Sequence, residues 1–260
     1  MSATDVTIQT LTQLSAQQDW RLSLAHDRPQ HLLIWITRGQ GRLLLDGQRR
    51  GVGAHNAIFV PAGHLFALEL GRQGMGQAVA IRADSPQQLL PRPRHLRVRD
   101  VQSQSELTAL IDAAQREAQA TRPLAEDAVS GYVTLMSVWL RRQAAQEDAA
   151  TERRTAAERL CARYCARISG GYSTGASMAA HAAALSVTPT HLTRACKAAT
   201  GRTAADLLTE RVLYAARDRL ARTKAPAQDI ARDLGFGSAA YFTRFIRQHT
   251  GQPPSALRPS

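Results

Sequence analysis

SMAAHAAALSVTPTHLTRACKAATG (177–201) and APAQDIARDLGFGSAAYFTRFIRQHTG (225–251) are the two stretches on which the reading of this 260-residue chain turns. In the first, Met178, Ala182 and Leu185 fall on one face of a short helix. Ser186 occupies a turn. Thr188 is placed to cap a second helix, and Pro189 sits at its first position, where a missing N–H costs nothing. Leu192 and Cys196 then point inward, leaving Thr190, Thr193, Arg194 and Lys197 outward. The second stretch repeats the plan. Pro226 opens a helix with Ile230 and Leu234 inward and Ala231 small enough for close packing. Gly235 makes the turn and Ser238 caps the next helix. Phe242, Phe245 and Ile246 form its core side, with Ala239, Ala240, Tyr241, Thr243, Arg244 and Arg247 outside. The repeat is visible in the letters: T-H-L-T-R-A against A-Y-F-T-R-F, each followed by a basic residue and then T-G.

A short support helix, a tight turn and a second helix with an exposed polar face is the geometry that enters a DNA major groove. Arg donates two parallel hydrogen bonds to guanine or phosphate, and Thr reaches a base edge or a thymine methyl. Between the stretches, TAADLLTERVLYAARDRLART (203–223) opens on a Thr203/Asp206 capping box. Leu207, Leu208, Val212, Ala215, Ala216 and Leu220 repeat along one side of it, which reads as a rigid spacer. Breaks at Gly170-Gly171, Ser186, Gly201, Ala225-Pro226, Gly235 and Gly251 divide the C-terminal part into roughly seven helices.

The charge agrees. The net charge is +12, and residues 151–260 hold 17 Lys+Arg against 7 Asp+Glu, whereas residues 1–150 hold 16 against 14. A basic module joined to a nearly neutral one points to a polyanion partner. Only Lys197 and Lys224 are lysines. Three cysteines, Cys161, Cys165 and Cys196, are too few and too odd in number for a disulfide framework. They read as small buried apolar residues. There is neither a signal-peptide start nor an apolar run of about 20 residues, so a soluble cytoplasmic chain without membrane contact is expected.

Residues 159–258 resemble the DNA-binding domain of the AraC/XylS regulators. The resemblance is carried by L-S-V-T-P-T-H-L-T-R (185–194), T-G-R-T (200–203), L-x-x-T (220–223), I-A-R-D-L-G-F (230–236), Y-F-T-R-F-I-R (241–247) and T-G-Q-P-P (250–254). It implies base reading by Thr190, Thr193 and Arg194 in one unit and by Ala239, Ala240, Tyr241 and Arg244 in the other, in adjacent major grooves. Departures from the family pattern are His181 for an aliphatic residue, Ser186 for a turn glycine, Cys196 for Phe, and Leu257 where an aromatic residue commonly precedes Arg258.

The N-terminal part reads as β. HLLIWIT (31–37), RLLLD (42–46), AIFVPAG (57–63), HLFALEL (64–70) and QAVAIRA (77–83) are short strands, with Asp46-Gly47 a hairpin turn. SPQQLLPRPRHLR (85–97) is expected to wrap the surface. G-Q-G-R-L-L-L-D-G (39–47) and V-G-A-H-N-A-I-F-V-P-A-G-H (52–64) resemble the cupin-like sensor domain found in part of the same family. Small barrels of this kind hold ligands inside, and Trp35, Phe59, His64 and Phe66 are the candidate lining. Two amphipathic helices follow, at 103–120 with Leu107, Leu110, Ile111 and Ala114 on its stripe, capped by Ser103 or Ser105, and at 125–146 with Val129, Val133, Met136 and Leu140. They read either as cover for the barrel core or as a dimer surface, the second being preferred, and residues 144–151 link them to the basic module.

The expected fold is therefore α+β: a small cupin-like β-barrel (1–100), a helical pair (101–150) and an all-α domain with two helix-turn-helix units (151–260). The expected function is sequence-specific regulation of transcription, with operator DNA as partner, a homodimer as the working form, and RNA polymerase and a small-molecule effector as candidate partners. No cofactor, metal or catalytic residue is expected. Two alternatives are a metal-cupin enzyme with a fused basic domain and a non-specific architectural DNA binder. The first suffers from the lack of His-x-His, since His31, His55 and His64 are scattered and Glu69 has no paired histidines.

Overall fold

The computed structural model describes residues 6–120, 122–148 and 154–258. Among the described residues eight strands, all antiparallel, form two sheets. β1 (Val6–Thr10), β7 (Met75–Arg82), β2 (Gln30–Arg38), β5 (Asn56–Val60) and β8 (Arg94–Arg97) make the larger, in that order. β4 (Gln48–Gly53), β3 (Gln40–Leu45) and β6 (Phe66–Leu70) make the smaller. Two short helices, α1 (Leu11–Leu14) and α2 (Trp20–Ser23), lie between β1 and β2.

Alternation along the strands decides what each face meets. On β2, Leu32, Ile34 and Ile36 point between the sheets and pack with Ile58, Val60, Ala78 and Ala80, and with Leu43, Leu45, Phe66 and Leu68 of the smaller sheet. Leu33 and Trp35 point the other way, with Phe59, Val79 and Ile81. That outer face is covered by α3 (Val101–Gln119) and α4 (Ala125–Asp148) through Leu107, Ile111, Ala114, Val133, Met136, Trp139 and Leu140. Each fully buried Leu, Ile, Val or Met side chain among them contributes about 1.5–3 kcal/mol. Asp100, not Ser103 or Ser105, caps α3, its carboxylate accepting from the Ser103 N–H at 2.7 Å. The 85–97 segment does more than wrap: its last four residues form β8, because Leu96 and His95 are buried beside β5. β1 and β4 are strands the sequence does not announce, since VTIQT is short and QRRGVG carries two arginines. Of the expected 144–151 link, residues to Asp148 continue α4, and the rest lies outside the described residues.

The C-terminal region contains α5 (Ala156–Gly171), α6 (Met178–Ala184), α7 (Pro189–Thr200), α8 (Ala204–Arg222), α9 (Ala227–Asp233) and α10 (Ala239–Thr250), with 3-10 turns at Tyr172–Thr174 and Pro254–Leu257. Among the described residues these are six α-helices and two short turns rather than seven helices, because the segment after Gly251 forms only the Pro254–Leu257 turn. No described helix is long and apolar enough to cross a membrane.

The outer face of the smaller sheet is covered by this helical region. Leu44 and Ala67 pack with Leu160, Cys161, Leu192 and Leu207. Asp46 and Gly47 both have positive φ, the two-residue hairpin geometry the sequence signalled. The turn also abuts α5 so closely that a Cβ on Gly47 would lie 2.4 Å from the Ala162 nitrogen. The spacer α8 is not one-sided. Its polar face docks on residues 20–28: Arg211 Nε donates to Asp27 at 2.6 Å, Glu210 accepts from the Ala25 N–H at 3.1 Å, and Arg21 pairs with Asp218 at 3.1 Å. The Tyr214 ring stacks on His26 at 4.1 Å, and His26 meets Phe66 on its other side at 4.4 Å. Arg211 is also 3.6 Å above the Tyr172 ring. Removing one member of so buried an ion pair leaves the other uncompensated and costs about 3–5 kcal/mol.

Candidate nucleic-acid interface

Two helix-turn-helix units stand in the helical region, and their backbones repeat as their letters do. Ser177 caps α6, Thr188 caps α7 with Pro189 in its first turn, and Ser238 caps α10, each side chain accepting an N–H three residues on. In the first turn, Ser186 N–H donates to Ala183 and Val187 N–H to Ala182; in the second, Gly235 donates to Arg232 and Phe236 to Ala231. Ser186 and Gly235 are both left-handed, at φ 59° and 77°. Each second helix ends on Thr-Gly. The Thr200 and Thr250 hydroxyls donate to the carbonyls of Cys196 and Ile246, and Gly201 and Gly251 close the helices at φ 77° and 73°.

Of the residues expected inward, Ala182, Leu185, Leu192 and Cys196 in the first unit and Ile230, Ala231, Leu234, Phe242 and Ile246 in the second are buried, while Met178 and Phe245 are half-buried at the edges of the two cores. Thr190, Arg194 and Lys197 are exposed on α7, and Thr193 is half-buried. Ala239, Ala240, Tyr241, Thr243, Arg244 and Arg247 are all exposed on α10. His191 and Gln248 are also exposed, one helical turn from Arg194 and Arg244 respectively. Neither is among the outward residues expected from the sequence, although their i, i+3 and i, i+4 offsets from Arg194 and Arg244 were the available signal.

The two units touch directly as well as through α8. A Cβ on Gly235 would lie 2.6 Å from the Gly175 nitrogen, and one on Gly175 would lie 2.8 Å from the Gly235 carbonyl oxygen. Neither glycine can take a side chain without parting the turn of the second unit from the loop that enters the first.

Electrostatics sort the charges. Glu158 and Asp206 bond the caps of α5 and α8. Glu210 holds Arg202 at 2.7 Å, Asp218 holds Arg222 at 2.7 Å, Asp229 holds Arg232 at 2.9 Å and Asp233 holds Arg219 at 3.1 Å. Every described carboxylate of the helical region is thus committed away from the outer faces of α7 and α10. Among the described residues, Arg194, Lys197, Arg244 and Arg247 have no ion-pair or hydrogen-bond partner.

The departures from the family pattern are accommodated. His181 is buried, accepts from Arg167 Nε at 3.2 Å and meets Tyr164 edge-on. Burial, and then the Arg167 charge, lower its pKa. Cys196 packs against Cys161 and Cys165 between α7 and α5. All three are buried free thiols, and hydrogen bonding to Cys161, together with burial, pushes the Cys196 thiol up. Arg258 donates to the Thr223 carbonyl at 2.9 Å and also to that of Ala225, tying the chain end to the exit of α8.

The candidate ligand lining is not brought together. Trp35 and Phe59 face the α3–α4 side, with Trp35 donating to Thr108 at 3.1 Å. Phe66 faces the space between the sheets, which is filled by apolar side chains. His64 is half-buried in the turn before β6. The reason is the strand period: Trp35 and Phe59 lie on the opposite face from the residues that line the interior. Glu69 reaches toward Arg202 at 3.7 Å, and among the described residues no three His, Cys, Asp or Glu side chains are grouped to hold a metal.

Residues 181–260 match the family model described as a helix-turn-helix domain. No curated protein matches the chain. Among solved structures, unsaturated fatty acid bound wild-type ToxT from Vibrio cholerae is 11% identical over 98% of this chain and 95% of its own, with a TM-score of 0.45. The C-terminal domain of AraT, a response regulator from Geobacillus stearothermophilus, is 24% identical over 40% of this chain and 86% of its own, with a TM-score of 0.38. The AraC-like transcriptional activator CuxR is 11% identical over 75% of this chain and 71% of its own, with a TM-score of 0.34.

Proposed function

We propose that this chain, whose C-terminal region is an AraC-type helix-turn-helix domain, is a transcription regulator that reads an operator through α7 and α10. The observation that carries the reading is the sorting of charge. The acids of the helical region are spent on caps and ion pairs, while Arg194, Lys197, Arg244 and Arg247 stand exposed on the two helices built to enter a groove. Thr190, Thr193, Arg194, Ala239, Ala240, Tyr241 and Arg244 read bases. Lys197, Thr243 and Arg247 contact the flanks.

The finer parts of the reading are regulation by a small-molecule effector through the N-terminal, cupin-like region and assembly as a homodimer. The filled interior between the sheets favours a surface cleft over the barrel centre for the effector. Such a cleft of about 550 Å³ opens between Leu11, Leu22, Leu68 and Arg72. For the dimer, Ala128, Gly131, Leu135 and Val138 recur along one side of α4 at spacings of three, four and three, with Leu124 just ahead of the helix. Leu124 and Leu135 are 74% and 52% exposed. An apolar seam at that spacing suits a second copy of the helix.

Selection of random duplex DNA on the full-length protein, followed by sequencing, tests the function. Enrichment of a motif with two half-elements about one helical turn apart is expected, bound about 4 kcal/mol or more tighter than random DNA. Binding without enrichment would replace sequence reading with non-specific binding.

A further inference from the structure

We infer that the DNA-binding surface continues past the end of α7 onto the N-terminal sheet, where Arg49, with Arg42 beside it, binds backbone phosphate at the outer edge of the first half-site. The inference rests on the DNA-binding reading above and adds to it residues outside the helix-turn-helix domain.

Thr190, Arg194, Lys197 and Gly201 are spaced four, three and four residues apart, so they share one face of α7. At about 1.5 Å per residue, Gly201 lies roughly 16 Å along the helix from Thr190. A major groove is about 12 Å wide. A helix that sets Thr190 and Arg194 at base edges therefore carries Gly201 to the wall of the groove, where the phosphates are. Gly201 is exposed and brings no side chain of its own. A guanidinium nitrogen of Arg49 lies 3.3 Å from the point where one would begin. The sheet thus places a cation where the helix cannot.

The mounting is firm. Arg49 pairs across the β3–β4 ladder with Leu44, whose side chain is buried against α5 and α7. Arg42 lies on the same face of β3 as Leu44, opposite Glu69 of β6. Arg42, Arg49 and Arg202 line one cleft of about 240 Å³, in which Glu69 is the sole carboxylate. Arg202 is paired to Glu210 and approaches Glu69. Among the described residues, neither Arg42 nor Arg49 has an ion-pair or hydrogen-bond partner. The equivalent end of the second unit differs: a Cβ on Gly251 would meet nothing within 4 Å. The two half-sites are thus held unequally, the first with an added anchor from the sheet.

The test uses the full-length protein on the duplex recovered by selection and measures affinity across a salt series. Each lost phosphate contact lowers the slope of log K against log salt by about 0.9. R49A and the double variant R42A/R49A are expected to reduce the slope by about one and up to two such contacts, with the preferred sequence unchanged. R49K, which keeps the charge, is expected to recover most of it. R116A removes an exposed arginine from α3, on the far side of the larger sheet, and should leave the slope as it is. An unaltered slope in R42A/R49A overturns the inference while leaving the DNA-binding reading intact. Absence of duplex binding by the wild-type protein overturns both. Phosphate ethylation interference on the wild-type complex gives a readout that needs no variant. Interference reaching farther at the outer edge of the α7 half-site than at the α10 half-site supports the inference, and equal reach overturns it.

Discussion

At the scale of single residues, the side chains most open to test are Arg244 and Ser186. Arg244 is exposed and unpaired on α10, flanked by Thr243 and Arg247. If it takes a base bidentately, Arg244→Ala costs about 1–3 kcal/mol of affinity and relaxes the preference at one position of the operator. A titration against single-base operator variants separates that from a phosphate contact, which would weaken all sequences alike. Ser186 tells of stability rather than recognition. It holds a left-handed turn at φ 59° that the second unit gives to Gly235. A side chain in that region costs about 1–2 kcal/mol, partly offset by the greater unfolded freedom of glycine. Ser186→Gly is therefore expected to stabilise the chain by about 0.5–1 kcal/mol in urea denaturation. The letters exposed both residues. They also exposed the caps at Thr188, Thr203 and Ser238, because capping is a local matter of a hydroxyl and an N–H three residues away.

At the scale of elements, periodicity sufficed where one face met one neighbour. The buried faces of α3, α4, α7 and α10 follow the apolar stripes read from sequence. It failed where packing overrode pattern. β8 hides in an Arg- and Pro-rich segment, and its strand character comes from pairing with β5, a partner 39 residues away at the Asn56–His95 contact. The candidate ligand set failed for a related reason: strand membership was legible, but which face looks inward depends on what covers the other. The outer stripe of α4 is the element whose role most needs a measurement. Leu135→Asp sets a charge in the proposed seam and is expected to weaken self-association by at least tenfold, about 1.4 kcal/mol. Sedimentation equilibrium reads this directly, and an unchanged association constant would move the dimer contact elsewhere.

At the scale of the whole molecule, the decisive feature is the docking of α8 on residues 20–28. His26 lies at its centre between Tyr214 and Phe66, and burial, then the Arg28 charge, lower its pKa to about 3. The unfolded chain protonates the same ring near pH 6.5. Between those values the unfolded state holds the extra proton, so stability is lost as pH falls through 6.5. For one histidine this amounts to about 1.4 kcal/mol between pH 7.5 and pH 5.5. His95, lowered to about 4 by burial and then by Arg50 and Arg97, adds a similar loss. Urea midpoints at the two pH values should show the fall, and His26→Phe should remove one histidine's share of it. A pH dependence unaltered in that variant would mean that His26 is accessible to protons in the folded chain.

By itself the sequence determined the two helix-turn-helix units, their repeated caps and turns, the basic charge of the C-terminal region and the β character of the N-terminal one. These are set by neighbours within one or two turns of chain, where residue spacing translates directly into geometry. Only the tertiary structure decided that the polar face of α8 is an interface and not a solvated surface. Glu210, Arg211, Tyr214 and Asp218 have the composition of an exposed stripe, and their partners Ala25, Asp27, His26 and Arg21 lie more than 180 residues earlier in the chain. Charges buried by mutual pairing leave no periodic trace, since each partner alone reads as a residue meant for water.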